Sequence, residues 1–322
     1  MAARALLRRT RAFDFRDKVV LITGGSRGLG LVLARELAKA GARLCLCARD
    51  PAGLERARAD LAAQGAEVLV VPCEVTDRAQ VAEWVRVAHD HYGRIDVLIN
   101  NAGVIEVGPF EVQTLADFET ALKTHFWGPL YTIMAVLPEM KRQGAGRIVN
   151  VASIGGKIGV PHLVPYSASK FALVGLSEGL RAELMKDGIV VTTVCPGLMR
   201  TGSPRNAVFK GQHRAEYAWF SISDALPFTS MQAERAARQI ISACQRGDAE
   251  AILSTQAVIA TKFHALMPEL SADLRTLVNQ LLPAPGGIGA RRAQGKDSES
   301  KLSPSLLTTL SDRAATQNNE VP

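Results

Sequence analysis

Tyr166 and Lys170 stand four residues apart in a stretch with a helical pattern, so their side chains leave one face of that helix. A free phenol, with pKa ~10, is a poor base near neutrality, and an ammonium group beside it favours the phenolate. Such a pair can move a proton to or from a carbonyl oxygen. Ser153, thirteen residues before Tyr166, offers a hydroxyl that can hold the same oxygen. Alone, Tyr-x-x-x-Lys is a common surface pair. What gives it chemistry is the company it keeps.

That company starts at Thr23-Gly24-Gly25-Ser26-Arg27-Gly28-Leu29-Gly30, which joins an apolar run to a helical stretch. Glycines let the backbone turn tightly and let a phosphate approach it closely. The helix start behind them offers free N–H groups and a partial positive charge. A glycine trio means little by itself; between a strand and a helix it predicts a pyrophosphate cradle.

The Gly-x-x-x-Gly-x-Gly spacing resembles that of the short-chain dehydrogenase/reductase family. Asn100-Asn101-Ala102-Gly103 after the fourth apolar run and Ser153 after the fifth add to the resemblance, as do Tyr166-Ser167-Ala168-Ser169-Lys170 and Pro196-Gly197-Leu198-Met199-Arg200-Thr201. The motifs fall in family order over roughly residues 16–255. The resemblance implies an oxidoreductase that transfers hydride between a nicotinamide cofactor and a carbonyl/alcohol substrate. Tyr166 would be its acid/base, helped by Lys170 and the positive nicotinamide ring. Ser153 would orient the oxygen, and Lys170 would also hold the nicotinamide ribose. The implied cofactor residues are Gly24, Ser26, Arg27, Gly28, Leu29, Gly30, Arg49, Glu74, Val75, Asn101, Ala102, Gly103, Tyr166, Lys170, Pro196, Gly197 and Thr201. Glu74-Val75 replaces the usual Asp-Val.

One further position departs from the family. Where it commonly has Asn, three residues before Gly128, this chain has His125. In the family that residue's main-chain carbonyl holds a water of a proton relay. Pro129 has no N–H to give the carbonyl four residues back, which is that of His125, so proline frees the same carbonyl by another route. The opposing reading is a packed histidine and a weakened relay.

NADP(H) is expected over NAD(H). An acid at the end of the second strand would accept hydrogen bonds from a ribose 2′-hydroxyl and repel a 2′-phosphate. Ala48-Arg49 stands there instead, with Arg27 near by, and guanidinium suits phosphate. Asp50 lies one residue too late for the usual acid.

These groups need a frame. Apolar runs at 18–23, 43–48, 67–71, 95–100, 147–152, 189–194 and 250–253 read as strands buried on both faces. Helical stretches at 29–40, 51–64, 77–92, 115–142, 165–186 and 232–246 alternate with them. The expected fold is α/β and Rossmann-type, a doubly wound, seven-stranded, mostly parallel sheet with helices on both faces. The divisions are a basic N-terminal arm at 1–15, the dinucleotide-binding domain with the active site at 16–255, a helical extension at 256–283 and a disordered tail at 284–322. Residues 198–230 read as a substrate lid, with Met199, Phe209, Tyr217, Trp219, Phe220 and Phe228 over an apolar pocket and Arg200, Arg205, Lys210 and Arg214 studding it.

Composition narrows the partners. Most of the net charge of +7 belongs to the ends; residues 19–283 hold 27 basic and 25 acidic side chains, which disfavours nucleic acid. Five cysteines without zinc-type spacing read as reduced structural thiols of a cytoplasmic protein, with no metal. No apolar run is long enough to span a bilayer. Phe126, Trp127, Tyr131 and Met134 suit a homodimer or homotetramer, and the apolar 255–283 stretch suits packing or peripheral membrane contact. The alternatives to a soluble enzyme are a nucleotide-binding sensor or scaffold with little turnover, and a membrane-surface lipid carbonyl reductase.

Overall fold

The computed structural model describes residues 12–321; the first eleven residues of the expected basic arm lie outside the described residues. Seven parallel strands form the central sheet: β1 (Val19–Thr23), β2 (Arg43–Ala48), β3 (Val68–Pro72), β4 (Val97–Asn100), β5 (Gly146–Val151), β6 (Ile189–Pro196) and β7 (Glu250–Leu253). Their spatial order is β7-β6-β5-β4-β1-β2-β3, so the chain winds outward in both directions from β1 and β4. The doubly wound expectation holds, and every pairing in this sheet is parallel.

Helices α1 (Gly28–Lys39), α2 (Pro51–Ala63), α3 (Arg78–Tyr92), α4 (Leu115–Leu122), α5 (Gly128–Gln143), α6 (Val164–Leu184), α7 (His213–Ala225) and α8 (Ala233–Arg246) complete the body. The strands lack polar alternation because both faces are covered. On one face Ile22, Leu33, Leu37 and Ile240 share a core with α1 and α8. On the other, Leu21, Trp84, Leu98 and Ile133 pack under α3 and α5. Asp77 caps α3, and Gly93 ends it at φ 72°, a left-handed turn that glycine takes without steric penalty. All five cysteines are buried free thiols. Asn100, Thr132, Asn150 and Ser177 form a buried hydrogen-bonded chain across β4, α5, β5 and α6.

Three expected segments differ. The helix expected at 115–142 is broken by a π turn, Lys123–Trp127, before Gly128-Pro129, where proline removes a ladder hydrogen bond. The extension divides into α9 (Thr255–Leu266) and α10 (Pro268–Gln280), split by Pro268. The expected disordered tail is ordered through residue 321. Ala293–Gln294 pairs with Val208–Phe209, which pairs with Glu106–Val107. Helix α11 (Thr309–Gln317) then packs on α7 with Ala314 and Ala315 buried. The polar composition misleads because Ser298, Ser303, Thr308, Ser311 and Asn318 are buried with hydrogen-bond partners rather than solvated.

Candidate active site

A cleft of about 430 Å³ opens where the chain reverses its winding direction, at the carboxyl ends of β1 and β4. Its floor is the glycine loop. Gly24 and Gly28 take φ of 66° and 55°. At Gly30 a Cβ would stand 2.1 Å from the Gly24 carbonyl oxygen, so only glycine lets α1 start this close to the loop. Thr23 ties the loop to the next turn: its Oγ1 accepts from the N–H of Asn101 (2.9 Å) and Ala102 (3.0 Å). Asn101 Nδ2 donates back to the Thr23 carbonyl at 3.1 Å. Glycine backbone, a helix start and no acidic residue in the first turn of α1 together suit a pyrophosphate.

Ala48, Arg49, Glu74 and Val75 line the far end of the cleft. Asp50 is committed to capping α2, accepting from the Ala52 N–H at 3.1 Å. Arg49 is mostly exposed and 3.7 Å from a Glu74 oxygen, while Arg27 lies 3.4 Å from Glu320. Both guanidinium groups expected to read a phosphate therefore have a carboxylate beside them.

The candidate catalytic residues gather at the other end. Ser153 follows β5; its Oγ accepts from the Gly155 N–H at 3.0 Å and is hydrogen-bonded to Tyr166. Tyr166 and Lys170 share the first turns of α6 and both face the cleft. Lys170 Nζ donates to the Val151 carbonyl at 2.9 Å and sits 5.6 Å from the Tyr166 ring centre. Burial lowers the Lys170 ammonium to about 7. The expected lowering of Tyr166 by Lys170 does not prevail. Burial raises the phenol above its ordinary value, and the Ser153 hydrogen bond offsets only part of that. The buried phenol therefore favours its protonated form.

His125, in the π turn, is fully buried beside Tyr166, ring centres 5.3 Å apart and nearly perpendicular. Its Nε2 accepts from the Val104 N–H at 3.1 Å, which leaves the ring proton on Nδ1. Nδ1 faces Ser169 Oγ at 2.8 Å, and that hydroxyl donates to the Tyr166 carbonyl at 2.8 Å. Burial, then the Lys170 charge, holds the imidazole well below its usual pKa, so it is neutral. The side chain is a strut between the 104 turn and the backbone that carries Tyr166. Ser169 belongs to this set and escaped the sequence reading; its place in the Tyr-x-x-x-Lys turn was the available signal.

Most expected cofactor residues line the cleft, from Gly24 through Leu29, Asn101 to Gly103, and Thr201. Four of the expected residues do not. Gly30 supports the loop from behind, and Ser153 reaches the site through Tyr166. Pro196 closes β6 against Leu253, and Gly197 packs under Ser254 and Ala257. The lid also differs. Phe209, Tyr217 and Phe220 pack edge-to-face into a core of their own with Val107 and Leu163, because their rings bury more area together than against an open cleft. Phe228 is exposed. Lys210 is buried against Asp117, Arg205 meets Glu299, and Arg200 donates to the Ser230 carbonyl. Met199, Thr201 and Ser203 are the lid residues that reach the cleft. Among the described residues no cluster of three or more His, Cys, Asp or Glu suits a metal, and no helix is long and apolar enough to cross a membrane.

Comparison with known proteins gives this arrangement a context. The short chain dehydrogenase family model matches residues 18–209. A putative ketoacyl reductase of the granaticin polyketide synthase of Streptomyces violaceoruber is 42% identical over 57% of this chain and 68% of its own length. A dehydrogenase/reductase of Bos taurus, SDR family member 7B, is 34% identical over 84% of this chain and 80% of its own. Among solved structures, a short-chain dehydrogenase/reductase from Burkholderia phymatum in complex with NAD superposes with TM-score 0.74 at 26% identity, covering 80% of this chain and 96% of that one. An actinorhodin polyketide ketoreductase with NADPH gives 0.66 at 32%, covering 73% and 95%.

Proposed function

This chain belongs to the short-chain dehydrogenase family, and from that premise we propose that it reduces a carbonyl substrate with NADP(H), Tyr166 giving the proton. The observation that carries the reading is one cleft with a glycine phosphate loop at one end and a part-buried Ser153–Tyr166 hydrogen bond, flanked by Lys170, at the other. A bound nicotinamide cofactor would supply or accept the hydride. The chain's own residues do the rest. Ser153 Oγ and Tyr166 Oη converge on one substrate oxygen and fix its orientation. Tyr166 Oη, kept protonated by burial, gives its proton to that oxygen as negative charge develops there. Lys170 replenishes positive charge beside the phenolate so formed. Gly24 to Leu29 would hold the pyrophosphate, and Asn101 and Thr201 the neighbouring walls of the cofactor.

Preference for NADP(H) rests on the missing acid at the end of β2 and on Arg49 and Arg27. No acid stands at Ala48 where β2 ends, and Asp50, which lines the same end of the cleft, has one oxygen engaged as the cap of α2. The test is kcat/KM for NADPH against NADH over a panel of ketones, aldehydes and quinones. Arg49→Ala should lower the NADPH value by about tenfold and leave NADH within about twofold, the loss of one charge-assisted contact. Equal losses for both cofactors would remove Arg49 from phosphate recognition.

A second reading, peripheral contact of the same enzyme with a membrane surface, draws on one observation: Leu266, Met267, Leu270, Leu274, Leu277 and Leu281 are exposed along α9 and α10. Flotation with liposomes, wild type against Leu270→Glu/Leu274→Glu, separates it from a protein that stays in solution.

A further inference from the structure

The C-terminal segment does more than pack beside the cleft. Three successive residues after α11 stitch the phosphate loop to its surroundings. The Asn318 carbonyl accepts from the Gly28 N–H at 2.8 Å, taking one of the free donors at the start of α1. Asn319 Nδ2 donates to the Ser26 carbonyl at 2.7 Å and the Gly53 carbonyl at 3.1 Å, and its Oδ1 accepts from Arg56 Nε at 2.8 Å. Glu320 is carried into the cleft and lines it. One carboxylate oxygen is held by Asn206 Nδ2 at 2.6 Å and by Arg27 at 3.4 Å. The other lies 2.6 Å from where a Cβ on Gly28 would be, against the face of the loop that glycine leaves open for phosphate.

This is an anion and a carbonyl resting on an anion cradle. The carboxylate is only about one-twentieth exposed, and its two polar partners, Arg27 and Asn206, belong to the loop and the lid. Burial raises its pKa, as it does for a carboxyl group with too little compensation. A pyrophosphate arriving at the same loop carries two negative charges and needs Arg27 and the Gly28 side of the cradle. The carboxylate and the phosphates cannot share this place without repulsion or movement. The segment lies beyond residue 209, where the family match ends.

We propose that residues 318–320 form a displaceable strap whose Glu320 carboxylate occupies the phosphate cradle, so that the chain binds its dinucleotide in competition with its own C-terminus. The proposal rests on the reading of this cleft as a nicotinamide dinucleotide site. Binding swings Glu320 off Gly28 and frees Arg27 for the cofactor, and Asn319 keeps the strap tethered at Ser26 and Gly53. A fixed wall would behave in the opposite way, since losing its contacts would slacken the loop and weaken every ligand.

The test is calorimetric titration of ADP and of adenosine into the full chain, into Glu320→Gln and into a chain ending at Gln317. Glu320→Gln keeps the size and one acceptor of the side chain, so it remains informative if the shortened chain folds poorly. The expected result is ADP binding tightened about fivefold in Glu320→Gln and at least as much in the shortened chain. Adenosine, which has no phosphate, should stay within about twofold in Glu320→Gln. Unchanged or weaker ADP binding in Glu320→Gln overturns the strap. Equal tightening for adenosine overturns the charge argument behind it. ADP binding to none of the three forms refutes the dinucleotide reading itself, a separate failure from that of the strap.

Discussion

Replacing His125 by alanine tests how Tyr166 is held. The ring fills a fully buried space, accepts the Val104 N–H and, through Ser169, supports the Tyr166 carbonyl. Removing a buried ring leaves a void that relaxes only in part, and the Val104 N–H is left without its acceptor. Loss of the acceptor of this part-buried N–H costs about 1 kcal/mol, and the lost packing adds about 2–3 kcal/mol. The expected loss of stability is about 3–4 kcal/mol by urea unfolding at neutral pH. Tyr166 moves with its backbone, and a misplacement near 1 Å costs up to about a hundredfold in rate, so kcat should fall by about ten- to a hundredfold. The sign of the pH dependence follows from the depressed imidazole pKa. Below the ordinary histidine pKa the unfolded chain takes up a proton that the folded chain refuses, so wild-type stability declines as pH falls. The alanine variant lacks that term, and the gap between the two should narrow from pH 7 toward pH 5. His125→Asn separates this account from a purely main-chain relay. If the carbonyl freed by Pro129 were all that mattered, the asparagine variant would keep full turnover. Alanine and asparagine variants with wild-type stability and turnover would refute the strut.

Two more outcomes follow from buried charges. Lys210 on the lid and Asp117 at the start of α4 are both about 2% exposed in their side chains and bonded to each other. Lys210→Met should cost about 3–5 kcal/mol by leaving Asp117 buried without its partner, and Lys210→Met/Asp117→Asn should recover most of it; a single variant with wild-type stability would contradict the pair. Asp224, between α7 and α11, has its carboxyl raised to about 7 by burial, against which its Ser311 hydrogen bond works. A raised acid makes the folded chain hold a proton that the unfolded chain releases, so wild-type stability is lost as pH rises from about 4 to 7. Asp224→Asn should therefore gain in melting temperature relative to wild type over that interval, and a constant difference would show that Asp224 is ionised when folded.

The sheet was legible because strands covered on both faces leave uninterrupted Val, Ile and Leu runs, and the cradle because Gly24, Gly28 and Gly30 are each required by the backbone or by close approach. That Tyr166 and Lys170 share a face was legible from their spacing, and that Ser153 joins them from the family resemblance. Other parts depend on contacts far apart in sequence. His125 reads equally well as a relay or a packed residue until Val104 and Ser169 are seen around it. The Tyr166 pKa depends on burial, which no local spacing reports. The tail misled most: small polar residues usually mean solvation, yet Ala315 fits where Gly202 has no side chain, and Asn318 to Glu320 find partners some three hundred residues upstream. The aromatics of the lid were located, but only packing shows that they stabilise the lid instead of lining the cleft.

Hydride transfer with Tyr166 as proton donor is tested by following a label from cofactor to product. Purified protein is incubated with NADPH deuterated at the transferable position and a panel of ketones and aldehydes, beside Tyr166→Phe, and the alcohols are examined by mass spectrometry. One deuterium is expected on the carbinol carbon of at least one product with the wild type, with loss of that product in Tyr166→Phe while NADPH binding persists. NADPH bound by both proteins with no label in any product would contradict an enzyme and favour a sensor; equal labelling by the two would remove Tyr166 from the chemistry.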